Sequence, residues 1–130
     1  AQRFRDGTAD IVVGTDAPLS PSQLNLVAKR ATLGIGRTGT IGNSGSGDLF
    51  LAFSTIRSEY DSSTRTVTAT SLSKSGLDPI FRATVEATEE AVVNALVAAE
   101  SMEGINGNKV FALPHDRLRE TMKKYNRLGS

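Results

Sequence analysis

The chain has 130 residues, enough for one domain, and its 15 basic and 14 acidic residues leave a net charge of +1. That balance speaks against a dedicated nucleic-acid surface, which needs clustered positive charge. The absence of cysteine excludes disulfides, thiolate nucleophiles and zinc–thiolate sites, and the single histidine, His115, is the only imidazole an internal catalytic triad could use.

Residues 9–15, "ADIVVGT", read as a strand whose short apolar run suits a position covered on both faces. Asp10, in that strand just before the run, is expected to face solvent or a partner. Ser20, Pro21 and Gln23 form a helix start, with Ser20 as N-cap, proline in the first helical position and Gln23 reaching back. Leu24, Val27, Ala28 and Ala31 then keep helical spacing, and Gly34 is the expected stop. The stretch 34–47, "GIGRTGTIGNSGSG", is glycine-rich and costly to order unless backbone must come close to something. Its "GIGRTG" matches a dinucleotide fingerprint, but it follows a helix and runs into more glycine, whereas the fingerprint follows a strand and opens a helix. No Gly-Lys-Ser/Thr follows "GNSGSGD", so it is not a nucleotide-binding P-loop either.

Residues 48–56 and 64–71 read as two further strands joined by "SEYDSS", a hairpin that rules out an all-parallel sheet. From Asp78 and Pro79 a long helix runs without internal glycine or proline. Ile80, Ala83, Ala87, Ala91, Ala95 and Ala99 make a stripe suited to close packing, and Glu86, Glu89 and Glu90 make a solvated face. "GINGN" at 104–108 is a turn, "KVFAL" a short extended segment, and "PHDRLRETMKKYNRL" a terminal amphipathic helix with Leu118, Met122 and Tyr125 on one side. His115 falls at its start, as a surface residue would.

The order β-α-β-β-α-(β)-α implies an α/β fold with helices covering a mixed sheet. With seven aromatic residues and no tryptophan, the apolar first strand and the alanine-rich helix want more partners than the chain supplies. It is expected to pack against another chain or an N-terminal portion outside it. No apolar run approaches the roughly 20 residues of a membrane helix and no signal-peptide pattern opens the chain, so the expected location is the cytoplasm, the periplasm being compatible too. No cofactor or metal is expected.

Two groups of residues could carry chemistry. Ser46 and Asp48 stand two apart between glycines at the start of a strand, either as a turn satisfying its own backbone or as a site needing close approach. Thr8 follows Gly7, either as a β-branched residue leading into a strand or as a hydroxyl nucleophile. A free α-amine on the same residue can serve such a nucleophile as base, and its unperturbed pKa of roughly 7.7–8.0 leaves a useful neutral fraction at pH 7. That amine exists only if the Gly7–Thr8 bond is cut. The chemistry of these residues leaves both readings open.

The stretch "IVVGTDAPLSPSQLNLVAKRATLGIGRTGTIGNSGSGDLFLAFST" resembles the smaller, C-terminal (β) subunit of the DmpA-type family, the L-aminopeptidase/D-esterase and β-peptidyl aminopeptidase group of N-terminal nucleophile hydrolases. "DPIFRATVEATEEAVVNALVAAESMEG" and "ALPHDRLRETMKKYNRL" are similar to it too, so the resemblance covers residues 8–128. It implies an αββα sandwich completed by a larger N-terminal subunit, with residues 1–7 as that subunit's tail or an uncleaved linker and 8–130 as the β-subunit portion. It implies a precursor that cuts itself between Gly7 and Thr8, leaving Thr8 as nucleophile where the family more often has serine, with Ser46 and Asp48 as its catalytic partners. The activity implied is hydrolysis of N-terminal amino-acid amides, peptides or esters through an acyl-enzyme, by an oligomer, commonly a tetramer of heterodimers. Acyl transfer of the ornithine acetyltransferase type and hydrolysis of pantetheine-like amides use related architectures and are the alternatives.

Overall fold

A computed structural model describes residues 7–128; the N-terminal tail expected over 1–7 therefore falls, apart from Gly7, outside the described residues. Contacts divide the chain into two units at Glu90.

The first unit opens with strand β1, Asp10–Thr15, followed by helix α1, Pro21–Arg37, and strand β2, Leu49–Ser54. The helix begins where the sequence places it. Ser20 Oγ accepts from the Gln23 backbone N–H at 3.3 Å and Gln23 Oε1 accepts from the Ser20 N–H at 2.9 Å, a reciprocal cap. It does not stop at Gly34 but continues to Arg37. Gly34 instead faces Thr88: a Cβ there would lie 2.5 Å from Thr88 Cβ and 2.6 Å from the Val85 carbonyl oxygen. Contact with the facing helix, not helix termination, requires the glycine. Gly34→Ala is therefore expected to push the two helices apart and cost about 1–3 kcal/mol, the usual range for overpacking, read as a lowered urea midpoint.

β1 and β2 pair in parallel, with Asp10 opposite Leu49 and Thr15 opposite Ser54. This corrects the expected hairpin of 48–56 with 64–71. α1 supplies the crossover that a parallel pair needs, so β2 returns beside β1. The hairpin that does form is smaller: β3, Glu59–Asp61, lies inside the expected turn and pairs antiparallel with β4, Thr66–Thr68. Its turn is held by Asp61, whose Oδ1 accepts from Ser63 Oγ at 2.6 Å and Ser63 N at 2.8 Å. These bonds, the side-chain one foremost, hold the carboxyl down at about 2. Arg65 takes the left-handed conformation at φ 56° before β4.

One face of the β1–β2 pair carries the core. Val13 and Ala52 meet Leu19, Leu24 and Val27, and helix α2, Leu77–Ala98, adds Leu77, Ile80 and Phe81. α2 buries Leu77, Thr84, Val85 and Thr88 in this unit, with Thr84 and Thr88 each donating to the carbonyl four residues back. Of the expected stripe, Ile80 reaches this core, while Ala83, Ala87, Ala91 and Ala95 are exposed. Arg37 pairs with Glu89 at 3.1 Å across exposed surface, while Glu86 and Glu90 are exposed as expected. The other face of the sheet is open, with Val12, Leu49, Leu51 and Phe53 between 47% and 68% exposed.

In the second unit, β5, Met102–Glu103, and β6, Lys109–Val110, form a short antiparallel pair around the turn at 104–108. Helix α3, His115–Lys124, follows. Leu118 and Met122 are half-buried, whereas Tyr125 is 63% exposed. The His115 Nε2 lies 2.8 Å from the Val97 carbonyl oxygen and so donates to it, near the C-terminal end of α2. Among the described residues no helix is long and apolar enough to cross a membrane.

Candidate functional site

Thr8, Ser46 and Asp48 are far apart in sequence, and the parallel ladder brings them together. Ala9 and Asp48 immediately precede β1 and β2, whose register starts with Asp10 opposite Leu49. The Leu49 N–H donates to the Ala9 carbonyl at 3.1 Å, extending the ladder by one rung. In place of the next rung, Asp48 Oδ1 accepts from the Ala9 N–H at 2.9 Å. Pairing the strands therefore places the Asp48 carboxylate against the backbone that follows Thr8.

The loop from Thr38 to Gly47 delivers the remaining groups. Its path uses glycine where φ is positive, at Gly39 (105°) and Gly42 (66°). A turn closed by the Ser46 N–H on the Asn43 carbonyl at 2.9 Å sets Ser46 beside Asp48. Ser46 Oγ is 2.6 Å from Asp48 Oδ1 and 3.1 Å from the Gly7 carbonyl oxygen. The hydroxyl has one proton for two acceptors. The shorter contact, to a carboxylate, holds it at rest; rotation about the Cβ–Oγ bond turns it onto the Gly7 carbonyl. The Gly47 backbone N–H donates to Thr8 Oγ1 at 3.2 Å.

Asp48 is half-buried. Its carboxyl is held below the usual aspartate range, first by the Ser46 hydroxyl and then by the Ala9 N–H, against a small opposing effect of burial. A depressed pKa of this kind favours the assembled cluster above the ordinary carboxylate pKa and loses that contribution as pH falls through the lowered value.

All four residues singled out in the sequence, Gly7, Thr8, Ser46 and Asp48, thus meet at one end of the parallel pair. The contact that does not form is a direct one between Ser46 and the Thr8 hydroxyl. Ser46 addresses the carbonyl before Thr8, and the Gly47 N–H takes the place on Oγ1. Sequence reading missed both backbone donors, Gly47 and Ala9, because strand register sets their positions and no side-chain pattern announces them. A Cβ on Gly7 would meet nothing within 4 Å, so space does not demand glycine there. His115 spends its Nε2 on Val97 in the second unit.

The arrangement sets one hydroxyl, that of Ser46, on the Gly7 carbonyl oxygen and fixes another, that of Thr8, by the Gly47 N–H, and the fold is that of the N-terminal nucleophile hydrolases. The structure of the L-aminopeptidase D-ala-esterase/amidase from Ochrobactrum anthropi, described as a prototype for the serine aminopeptidases and a variant of the Ntn hydrolase fold, superposes with a TM-score of 0.81 at 42% identity, over 92% of this chain and 34% of that one. A Burkholderia sp. beta-aminopeptidase gives 0.73 at 34% identity, over 87% and 34%. A beta-peptidyl aminopeptidase BapA from Sphingosinicella microcystinivorans is 44% identical over 126 residues, 96% of this chain and 32% of the relative. The model of peptidase family S58 matches residues 1–110, and the chain belongs to that family. It spans about a third of the length of these relatives.

Proposed function

We propose that this chain is the nucleophile-bearing part of a self-processing aminopeptidase or amidase, in which the Gly7–Thr8 bond is cut and Thr8 becomes the N-terminal nucleophile. The observation that carries the reading is the convergence of Ser46 on the Gly7 carbonyl and of the Gly47 N–H on the Thr8 hydroxyl, with Asp48 holding Ser46 and the adjacent Ala9 N–H. The family's similarity to aminopeptidases supports it.

In self-cleavage, Thr8 Oγ1 attacks the Gly7 carbonyl carbon. The C–O bond forms, the C–N bond breaks, and the proton leaving the hydroxyl is balanced by one arriving on the freed nitrogen; water then opens the ester. The Ser46 hydroxyl, turned onto the Gly7 carbonyl oxygen, would stabilise the charge that develops there, and the Gly47 N–H would hold Oγ1 in place.

In turnover, Thr8 Oγ1 attacks the acyl carbon of an N-terminal amino-acid amide, peptide or ester. The Thr8 α-amine takes the proton and returns it to the leaving amine, and water clears the acyl-enzyme. Ser46 steadies the reacting groups, and Asp48 anchors Ser46 and the Ala9 backbone. The remaining oxyanion donors would come from a larger N-terminal subunit of the same precursor. That subunit would also cover the open face of β1–β2 to complete the αββα sandwich, in an oligomer of heterodimers.

Mass analysis of the full-length protein tests the proposal. The expected result is a second chain beginning at Thr8, together with hydrolysis of an amino-acid p-nitroanilide without any acceptor amine. An active protein with the 7–8 bond intact would overturn it, and turnover only with an acceptor amine would favour acyl transfer.

A further inference from the structure

The proposed mechanism leaves Asp10 without a task, yet its placement is unusual. Side-chain exposure alternates through β1 and back past its first residue: Thr8, Asp10, Val12 and Gly14 are exposed, and Ala9, Ile11 and Val13 are half-buried. With the Ala9 carbonyl paired to the Leu49 N–H, the strand geometry reaches Thr8. Thr8 and Asp10 therefore share the open face, and two strand residues span about 6.6 Å. The other side chains of that face are apolar: Leu49, directly opposite Asp10, then Val12, Leu51 and Phe53. Asp10 is the one charge on it, at the end nearest the nucleophile, and its carboxylate has no hydrogen bond or ion pair among the described residues.

A carboxylate on a face destined to be covered must find a cation, because an unpaired buried charge is strongly unfavourable. An aminopeptidase substrate brings one. When its acyl carbon stands about 3–3.5 Å from Thr8 Oγ1, its ammonium lies one or two carbons away, within the reach of a side chain rooted two strand residues along.

We infer that Asp10 binds the free ammonium of the substrate and so selects acyl groups bearing an unblocked amine close to the carbonyl. This rests on the aminopeptidase reading above. The contact is a charge-assisted hydrogen bond made by a side chain that takes no part in cutting the 7–8 bond.

The test uses the full-length protein and two anilides of nearly equal shape, alanine p-nitroanilide and propionic acid p-nitroanilide. The parent is expected to prefer the amine-bearing substrate. Asp10→Asn should cut that preference by about 10–100-fold, chiefly through KM, with the chain beginning at Thr8 still produced; Asp10→Glu should retain the preference. An unchanged preference in Asp10→Asn overturns the inference. So does loss of the Thr8 chain in that variant, since the carboxylate would then serve folding or subunit docking. A parent that neither cuts itself nor hydrolyses either anilide overturns the function proposal, and this inference with it.

Discussion

Thr8→Ala is expected to leave the full-length protein as a single uncut chain and to lower turnover of an amino-acid p-nitroanilide by at least about 10⁴-fold, as loss of a covalent nucleophile does elsewhere. The side chain supplies the hydroxyl that the Gly47 N–H holds, and under the proposed mechanism that hydroxyl is the attacking group in both reactions. Electrophoresis reads the first outcome and steady-state kinetics the second. Thr8→Ser is the control: it keeps the hydroxyl and should keep both activities. A Thr8→Ala protein that still divides into two chains would place the cut or its chemistry elsewhere.

Ser46→Ala has the next largest expected effect. The hydroxyl stands between the Asp48 carboxylate and the Gly7 carbonyl, and removing one such donor costs about 10²–10³ in rate where it faces developing negative charge. Slower appearance of the chain beginning at Thr8, followed in time after synthesis, and lower turnover of the chains that do form are both expected. The Asp48 carboxyl also loses the strongest of the bonds that hold it down, so its pKa should move back toward the ordinary aspartate value. The acid limb of any residual pH profile should then move to higher pH. Self-processing at the parent rate would remove Ser46 from the first reaction.

Much of this site is legible in the sequence, for a definable reason. Capping chemistry at Ser20–Gln23 is local and reads directly. Thr8, Ser46 and Asp48 are open to ordinary turn and strand readings on their own chemistry, and the family resemblance singles them out. What could not be read is long-range. The hairpin expected from 48–56 and 64–71 gave way to a parallel pair, because β1, outside the window of any local pattern, competes for β2. Gly34 resembled a helix stop because glycine has that meaning locally, and its actual neighbour, Thr88, lies 54 positions onward. The stripe signalled close packing without saying which surface would supply it, and within this chain α2 packs through the stripe's first member, Ile80, together with Leu77, Thr84, Val85 and Thr88, while Ala83, Ala87, Ala91 and Ala95 are exposed.

The open face of β1–β2 has a temporal consequence. A two-stranded sheet with four large apolar side chains in water is marginal alone and prone to association. Under the proposed single precursor, translating both portions as one polypeptide would give that surface its cover at very high local concentration. Under the proposed mechanism the scissile bond is geometrically primed only after β1 and β2 have found their register. Maturation would then act as its own quality control: a misfolded precursor never acquires the terminus that makes it reactive.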